Sequence, residues 1–109
     1  MIHGIYAVVL LSAMLTGTSI SAAQSLGQQR QDELIYLLHQ DCGSCHGMTL
    51  QGGLGPPLLP EALAGKPANY LKQVISKGVP TKAMPPWENM LSPEDIDFLV
   101  IYLQQGSAQ

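Results

Sequence analysis

Cysteine is scarce in this chain: two residues, Cys42 and Cys45, among 109. A secreted scaffold stapled by several disulfides is therefore excluded. Charge is also scarce, at 12% of residues, and five Lys and Arg are outnumbered by eight Asp and Glu, for a net charge of −3. That balance supplies no basic footprint for nucleic acid. With 46% apolar residues, the composition is too hydrophobic for a disordered chain. No strand-like alternation, internal repeat or low-complexity tract is present, and the length holds one domain, which excludes a multidomain enzyme. The apolar run at residues 5–15 reaches only about half of the ~20 residues a bilayer-spanning helix needs.

What is present begins with a segment that carries no charged side chain before Arg30. Its apolar run gives way to small and hydroxylated residues at 16–23, with Ser21, Ala22 and Ala23 at the positions a signal peptidase inspects. This reads as an export signal cleaved after Ala23: residues 1–23 are the signal peptide and 24–109 the mature domain, which needs no membrane once processed. The usual basic start is missing, with only the terminal amine and His3 ahead of the apolar run, and an uncleaved anchor is the alternative.

The mature part reads as all-α. Ser25 and Gln28 form a candidate capping box for a first helix over residues 26–41, with Leu34, Leu37 and Leu38 on one face. Residues 47–60 hold Gly52, Gly53, Gly55, Pro56, Pro57 and Pro60, which forbid regular structure and specify a long loop. One short turn is expected at residues 61–64. Pro67 opens another helix whose face is Tyr70, Leu71, Val74 and Ile75, and Gly78 stops it. Ser92, Pro93 and Asp95 supply an N-cap, a first-turn proline and a capping-box partner for the last helix, with Ile96, Leu99, Val100 and Leu103 as its buried stripe. Tyr36, Phe98 and Tyr102 are assigned to contacts between the first and last helices.

The chemistry lies in Cys42-Gly43-Ser44-Cys45-His46. Two thiols one helical turn apart project from one face and can each add to a vinyl group of one porphyrin, while the histidine that follows faces the iron. The spelling is that of c-type haem attachment. Three other readings use the same residues: a thioredoxin-like dithiol, which belongs after a strand in a βαβ context; a zinc site recruiting His39, Cys42, Cys45 and His46, in which adjacent Cys45 and His46 cannot readily share one tetrahedral ion; and a lone disulfide.

Haem iron held by His46 needs a second axial ligand or an open position. Met48 and His39 lie too close in sequence to the motif to cross to the opposite face. Met84 is favoured over Met90, because it lies in a nonhelical stretch where Pro85 biases it toward an extended, stiff backbone. An empty sixth position is the remaining alternative. The histidine in turn needs an acceptor for its second ring N–H. The Pro56 carbonyl in the rigid Gly55-Pro56-Pro57-Leu58 run fits that need, a plain proline turn being the alternative, with Leu58 and Leu59 covering the ring face and Trp87 assigned to haem packing in preference to an electron relay. Lys66, Lys72, Lys77 and Lys82 fall in one acid-free stretch leading to Met84, a candidate surface for steering an acidic redox partner, or an ordinary solvated helix face.

In this order, Cys42-Gly43-Ser44-Cys45-His46, Gly55-Pro56-Pro57-Leu58, Met84-Pro85-Pro86-Trp87 and a final helix, the chain resembles the class I monohaem cytochromes c. The run from Asp41 to Pro67, with the loop Gly52 to Glu61 inside it, narrows the resemblance to cytochrome c55X, the small cytochrome encoded with the haem d1 nitrite reductase of denitrifying bacteria; the likeness covers roughly residues 32–103. The resemblance implies about four helices wrapped around one haem c attached through Cys42 and Cys45. It further implies a periplasmic location and a place in denitrification, as an electron carrier and not an enzyme, donating to nitrite reductase or serving haem d1 biosynthesis and nitrite reductase maturation. A five-coordinate haem protein that binds ligands is the rival outside electron transfer.

Overall fold

The computed structural model describes residues 25–106. The signal peptide and its cleavage point at Ala23 lie outside the described residues.

The first helix is one continuous helical path in three parts: α1 (Gln28–Leu37), a π-helical turn (Leu38–Cys42) and α2 (Gly43–His46). The Ser25–Gln28 capping box does not form. Gly27 is the N-cap and carries no side-chain cap bond, while the Gln28 amide bonds Asp32 one turn on. The path also does not stop at residue 41. The Gly43 N–H donates to the Leu38 carbonyl, five residues back, so an extra residue is absorbed and the helix runs through the cysteine motif. It ends at Gly47, whose φ of 91° leaves helical space.

Three further helices follow: α3 (Pro60–Leu63), α4 (Ala68–Lys77) and α5 (Pro93–Gln105). Among the described residues there is no strand beyond one isolated bridge between Val79 and Met84. The last helix is the hub against which α1, α3 and α4 pack. Its buried Ile96, Leu99, Val100 and Leu103 repeat at 3–4 residue spacing, and they join Leu34, Leu38, Leu50, Leu63 and Leu91 in one core. Phe98 and Tyr102 are half-buried against that core with ring centroids 5.8 Å apart. Two aromatic assignments are overturned. Tyr36 is 69% exposed, since it lies two residues and about 200° round the helix from buried Leu34. Tyr70 is 56% exposed, about a quarter turn from the centre of the stripe made by Leu71, Val74 and Ile75.

The start of α5 is fixed twice. The Ser92 hydroxyl accepts from the Asp95 N–H at 3.1 Å while the Asp95 carboxylate accepts from the Ser92 N–H at 3.0 Å, a complete capping box. The same carboxylate accepts two bonds from Arg30 of α1, from Nε at 3.0 Å and Nη2 at 2.7 Å. This bidentate pair ties the first helix to the last. The guanidinium, helped by the Ser92 N–H, holds the Asp95 carboxyl below its usual range even though burial pulls the other way. A carboxyl depressed in the folded state contributes stability that is present above the unfolded carboxyl value and is lost as pH falls through the folded one. Stability is therefore expected to decline below about pH 4, and Asp95→Asn should flatten that decline. Asp95→Ala removes the carboxylate half of the capping box and the pair, and leaves the bond from the backbone N–H of position 95 to the Ser92 hydroxyl. Arg30 is 41% exposed and can recover water, so the expected cost at neutral pH is about 1.5–3 kcal/mol, read from urea denaturation midpoints.

Candidate functional site

The site is assembled where the helical path ends and the glycine-proline loop folds back on it. Cys42 closes the π turn, while Cys45 and His46 close α2. Both cysteines are free and half-buried. After His46 the loop doubles back through backbone bonds: Gly52 N–H to the His46 carbonyl at 2.7 Å, Gly55 N–H to the Cys45 carbonyl at 2.8 Å, and Leu58 N–H to the Leu50 carbonyl at 2.9 Å. Leu50, fully buried, anchors the loop in the core from a left-handed backbone with φ of 61°.

That return brings the Pro56 carbonyl to 2.7 Å from His46 Nδ1. A carbonyl only accepts, so Nδ1 carries the proton and Nε2 is left with its lone pair. The imidazole is thus held in the tautomer that ligates through Nε2. Gly55 is what allows the approach: a Cβ at this position would stand 2.7 Å from Cε1 and 2.8 Å from Nδ1 of His46. Sequence reasoning missed this residue as a part of the site. Its signal was present, since the residue preceding the accepting Pro56 must pass the ring edge.

The methionine loop is held by the end of α4. Met84 is half-buried and its carbonyl accepts from the Val79 N–H at 3.0 Å, so its backbone is extended before Pro85. Trp87, half-buried against the core, donates its backbone N–H to the Ile75 carbonyl at 3.0 Å, and the Glu88 N–H reaches the Ser76 carbonyl at 3.3 Å. These bonds use carbonyls that the end of α4 leaves free. Met90 is 61% exposed and Met48 56% exposed, whereas Leu58 packs half-buried against the core. Two of the four lysines before Met84 are paired with acids, Lys72 with Asp97 at 2.8 Å and Lys77 with Glu88 at 2.7 Å. The positive stretch seen in the sequence is therefore partly neutralised by carboxylates from other segments, leaving Lys66 and Lys82 to carry any steering field.

The donor set fits a covalently attached haem. Two unpaired thiols lie one turn apart beside an imidazole with a committed tautomer, in a loop whose glycine leaves room at the ring. The competing uses of the same residues fit less well. Burial, with the Asp41 charge adding to it, pushes the Cys42 thiol up to about 11, opposite to what a dithiol nucleophile requires. Among the described residues, no group of three or more His, Cys, Asp or Glu is gathered to hold a metal ion, so the zinc set of His39, Cys42, Cys45 and His46 is not formed. No described helix is long and apolar enough to cross a membrane.

Comparison with known proteins agrees with this geometry. Residues 29–103 match the family model described as cytochrome c oxidase, cbb3-type, subunit III. Cytochrome c55X of Pseudomonas aeruginosa is 53% identical over 72% of this chain and 66% of that protein. Cytochrome c55X of Paracoccus denitrificans is 44% identical over 86% of this chain and 89% of that one. The dihydro-haem d1 dehydrogenase of Pseudomonas aeruginosa is 33% identical over 89% of this chain, which matches only 18% of that larger protein. Among solved structures, the c-type cytochrome NirC superposes with a TM-score of 0.74 at 50% identity, covering 75% of this chain and 96% of that one. With the helical fold and the thiol-imidazole turn already in place, these likenesses make the chain a member of the cytochrome c55X family of small electron-carrying c-type cytochromes.

Proposed function

We propose that this protein is a periplasmic carrier of single electrons whose haem c is attached through Cys42 and Cys45 and ligated by His46 and Met84, and that it donates electrons to the haem d1 nitrite reductase of denitrification. The observation that carries the reading is the 2.7 Å contact from His46 Nδ1 to the Pro56 carbonyl, which leaves Nε2 as the free ligating nitrogen beside two free thiols. The haem, when bound, supplies an iron that alternates between the ferrous and ferric states. The chain's own residues do the rest. The two cysteines hold the ring without a deep pocket, and the Pro56 carbonyl orients His46 and raises its basicity. Met84 supplies a neutral, soft thioether that favours the ferrous form, and the bonds from the methionine loop to α4 limit its rearrangement between oxidation states. Leu58 and Trp87, already packed on the core, would supply apolar contacts to the ring when it is bound. Were His46 and Met84 both to ligate the iron, no coordination position would remain for substrate, and the protein would carry electrons without bond-making chemistry.

A second reading is favoured by the likeness to the dihydro-haem d1 dehydrogenase: the same module, supplied as a separate chain, serves as an accessory redox protein in haem d1 biosynthesis or nitrite reductase maturation. Stopped-flow mixing of the reduced protein with purified nitrite reductase, with and without its haem d1, separates the two. A donor is reoxidised in a nitrite-dependent manner only by the haem d1-loaded enzyme. Failure to pass electrons to the loaded enzyme, together with reoxidation in the presence of a haem d1 precursor and its dehydrogenase, would establish the accessory role instead.

A further inference from the structure

The end of α4 carries a contact that its role as a helix stop does not explain. Gly78 has φ of 67° and ψ of −171°, and a Cβ built there would lie 2.5 Å from the Met84 carbonyl oxygen, 2.7 Å from the Pro85 carbonyl carbon and 2.8 Å from the Pro86 nitrogen. All three atoms are backbone, and two belong to prolines that cannot swing aside by a change of rotamer. The chain from Val79 to Met84 closes a tight loop over this point, with Val79 N–H to the Met84 carbonyl at 3.0 Å and Lys82 N–H to the Val79 carbonyl at 2.9 Å. The Trp87 and Glu88 N–H bonds to Ile75 and Ser76 clamp its far end. The methionine is therefore seated directly on a bare backbone, between two fixed points.

We propose that Gly78 is a positioning residue for the axial thioether: the absence of a side chain there sets how far Met84 can retract onto α4, and any Cβ drives the Met84-Pro85-Pro86 backbone outward. This rests on the reading of Met84 as the axial ligand. A Cβ so close must displace the backbone by several tenths of an ångström or more, and a ligand bond tolerates little such displacement. Gly65 is the natural control. Its φ is likewise positive, at 78°, but a Cβ there meets nothing within 4 Å. Substituting Gly65 tests a side chain at positive φ with no neighbour to displace, whereas substituting Gly78 tests its own backbone strain plus the push on the loop, two effects that the Met84→Ala background separates.

The test compares exported holoproteins of the wild type, Met84→Ala, Gly65→Ala, Gly78→Ala and the Gly78→Ala/Met84→Ala double variant. The readouts are the sulfur-to-iron charge-transfer band of the oxidised form, carbon monoxide binding to the reduced form and thermal midpoints. If the wild type lacks the band, the reading of Met84 fails and the Gly78 proposal falls with it. If the wild type has the band and Met84→Ala loses it, Gly65→Ala is expected to keep it while Gly78→Ala loses most of it and gains carbon monoxide binding. Gly78→Ala should also lower the thermal midpoint less in the Met84→Ala background, where no ligand bond resists the displaced loop. A full band and wild-type resistance to carbon monoxide in Gly78→Ala overturn the proposal, as do equal midpoint losses in both backgrounds. Should the single variant not accumulate, the double variant is expected to accumulate as Met84→Ala does; absence of both places Gly78 in the fold alone and overturns its role toward the ligand.

Discussion

Replacing Cys42 and Cys45 together by alanine is expected to abolish the holoprotein: no covalent haem by mass, and loss of most far-ultraviolet helical signal from what remains. The reason is the size of the core. Nine buried apolar side chains serve the whole described domain, and α4 buries none of its own residues fully. For a domain near ~80 residues, a core of that size supplies only a few kcal/mol. In the accounting of fold stability, the tethered ring stands in for the apolar surface that the sequence does not provide. His46 closes α2 while Met84 lies in the loop after α4, and a ring held by both residues would bridge them. Without it their mutual position rests on Leu50, Leu58 and Trp87. Either cysteine alone should retain a partly attached, less stable holoprotein, so the single variants fall between the wild type and the double variant.

The second large effect belongs to Met84. Met84→Ala should leave a ferrous form that binds carbon monoxide at neutral pH about 100-fold more tightly than the wild type if the proposed thioether closes that position in about 99% of molecules, because an external ligand sees only the open fraction. The oxidised form should lose its sulfur-to-iron band, and the reduction potential should fall with the loss of the ferrous-favouring ligand. Met90→Ala, at an exposed position in the turn before α5, should change none of these. If Met90→Ala and not Met84→Ala removed the band, the ligand assignment would be reversed. If the wild type lacked the band and bound carbon monoxide readily, the protein would belong with five-coordinate haem proteins that bind external ligands.

The parts of the structure legible in the sequence are those encoded by near neighbours. The Ser92-Pro93-Asp95 start of α5 follows from local hydrogen-bonding chemistry, and its buried stripe follows from helical period. The proximity of Pro56 to His46 follows from a rigid proline run that returns ten residues after the histidine, beyond the glycines that let the chain turn. The parts not legible were decided by the fit between segments distant in sequence or by a small change of phase. The π turn at Leu38–Cys42 is a one-residue slip that no period reveals, because a helix with or without it has the same composition. The Arg30–Asp95 pair joins residues 65 apart, and the neutralisation of Lys72 and Lys77 depends on which acids α5 and the methionine loop bring alongside. The stripe on α4 was read one residue too wide at Tyr70, since periodicity marks the face of a helix but not the depth to which its edge is covered. Gly78 was visible as a stop, while its contact with Met84 and the two prolines exists only once the loop has closed.

Intact-mass measurement of the protein purified from the periplasm tests the central claim most directly. The account predicts a single species equal to the processed polypeptide plus one haem, retained after acid-acetone extraction because both bonds to the ring are thioethers. A polypeptide of unmodified mass, with Cys42 and Cys45 recovered as free thiols or as a disulfide, would contradict it.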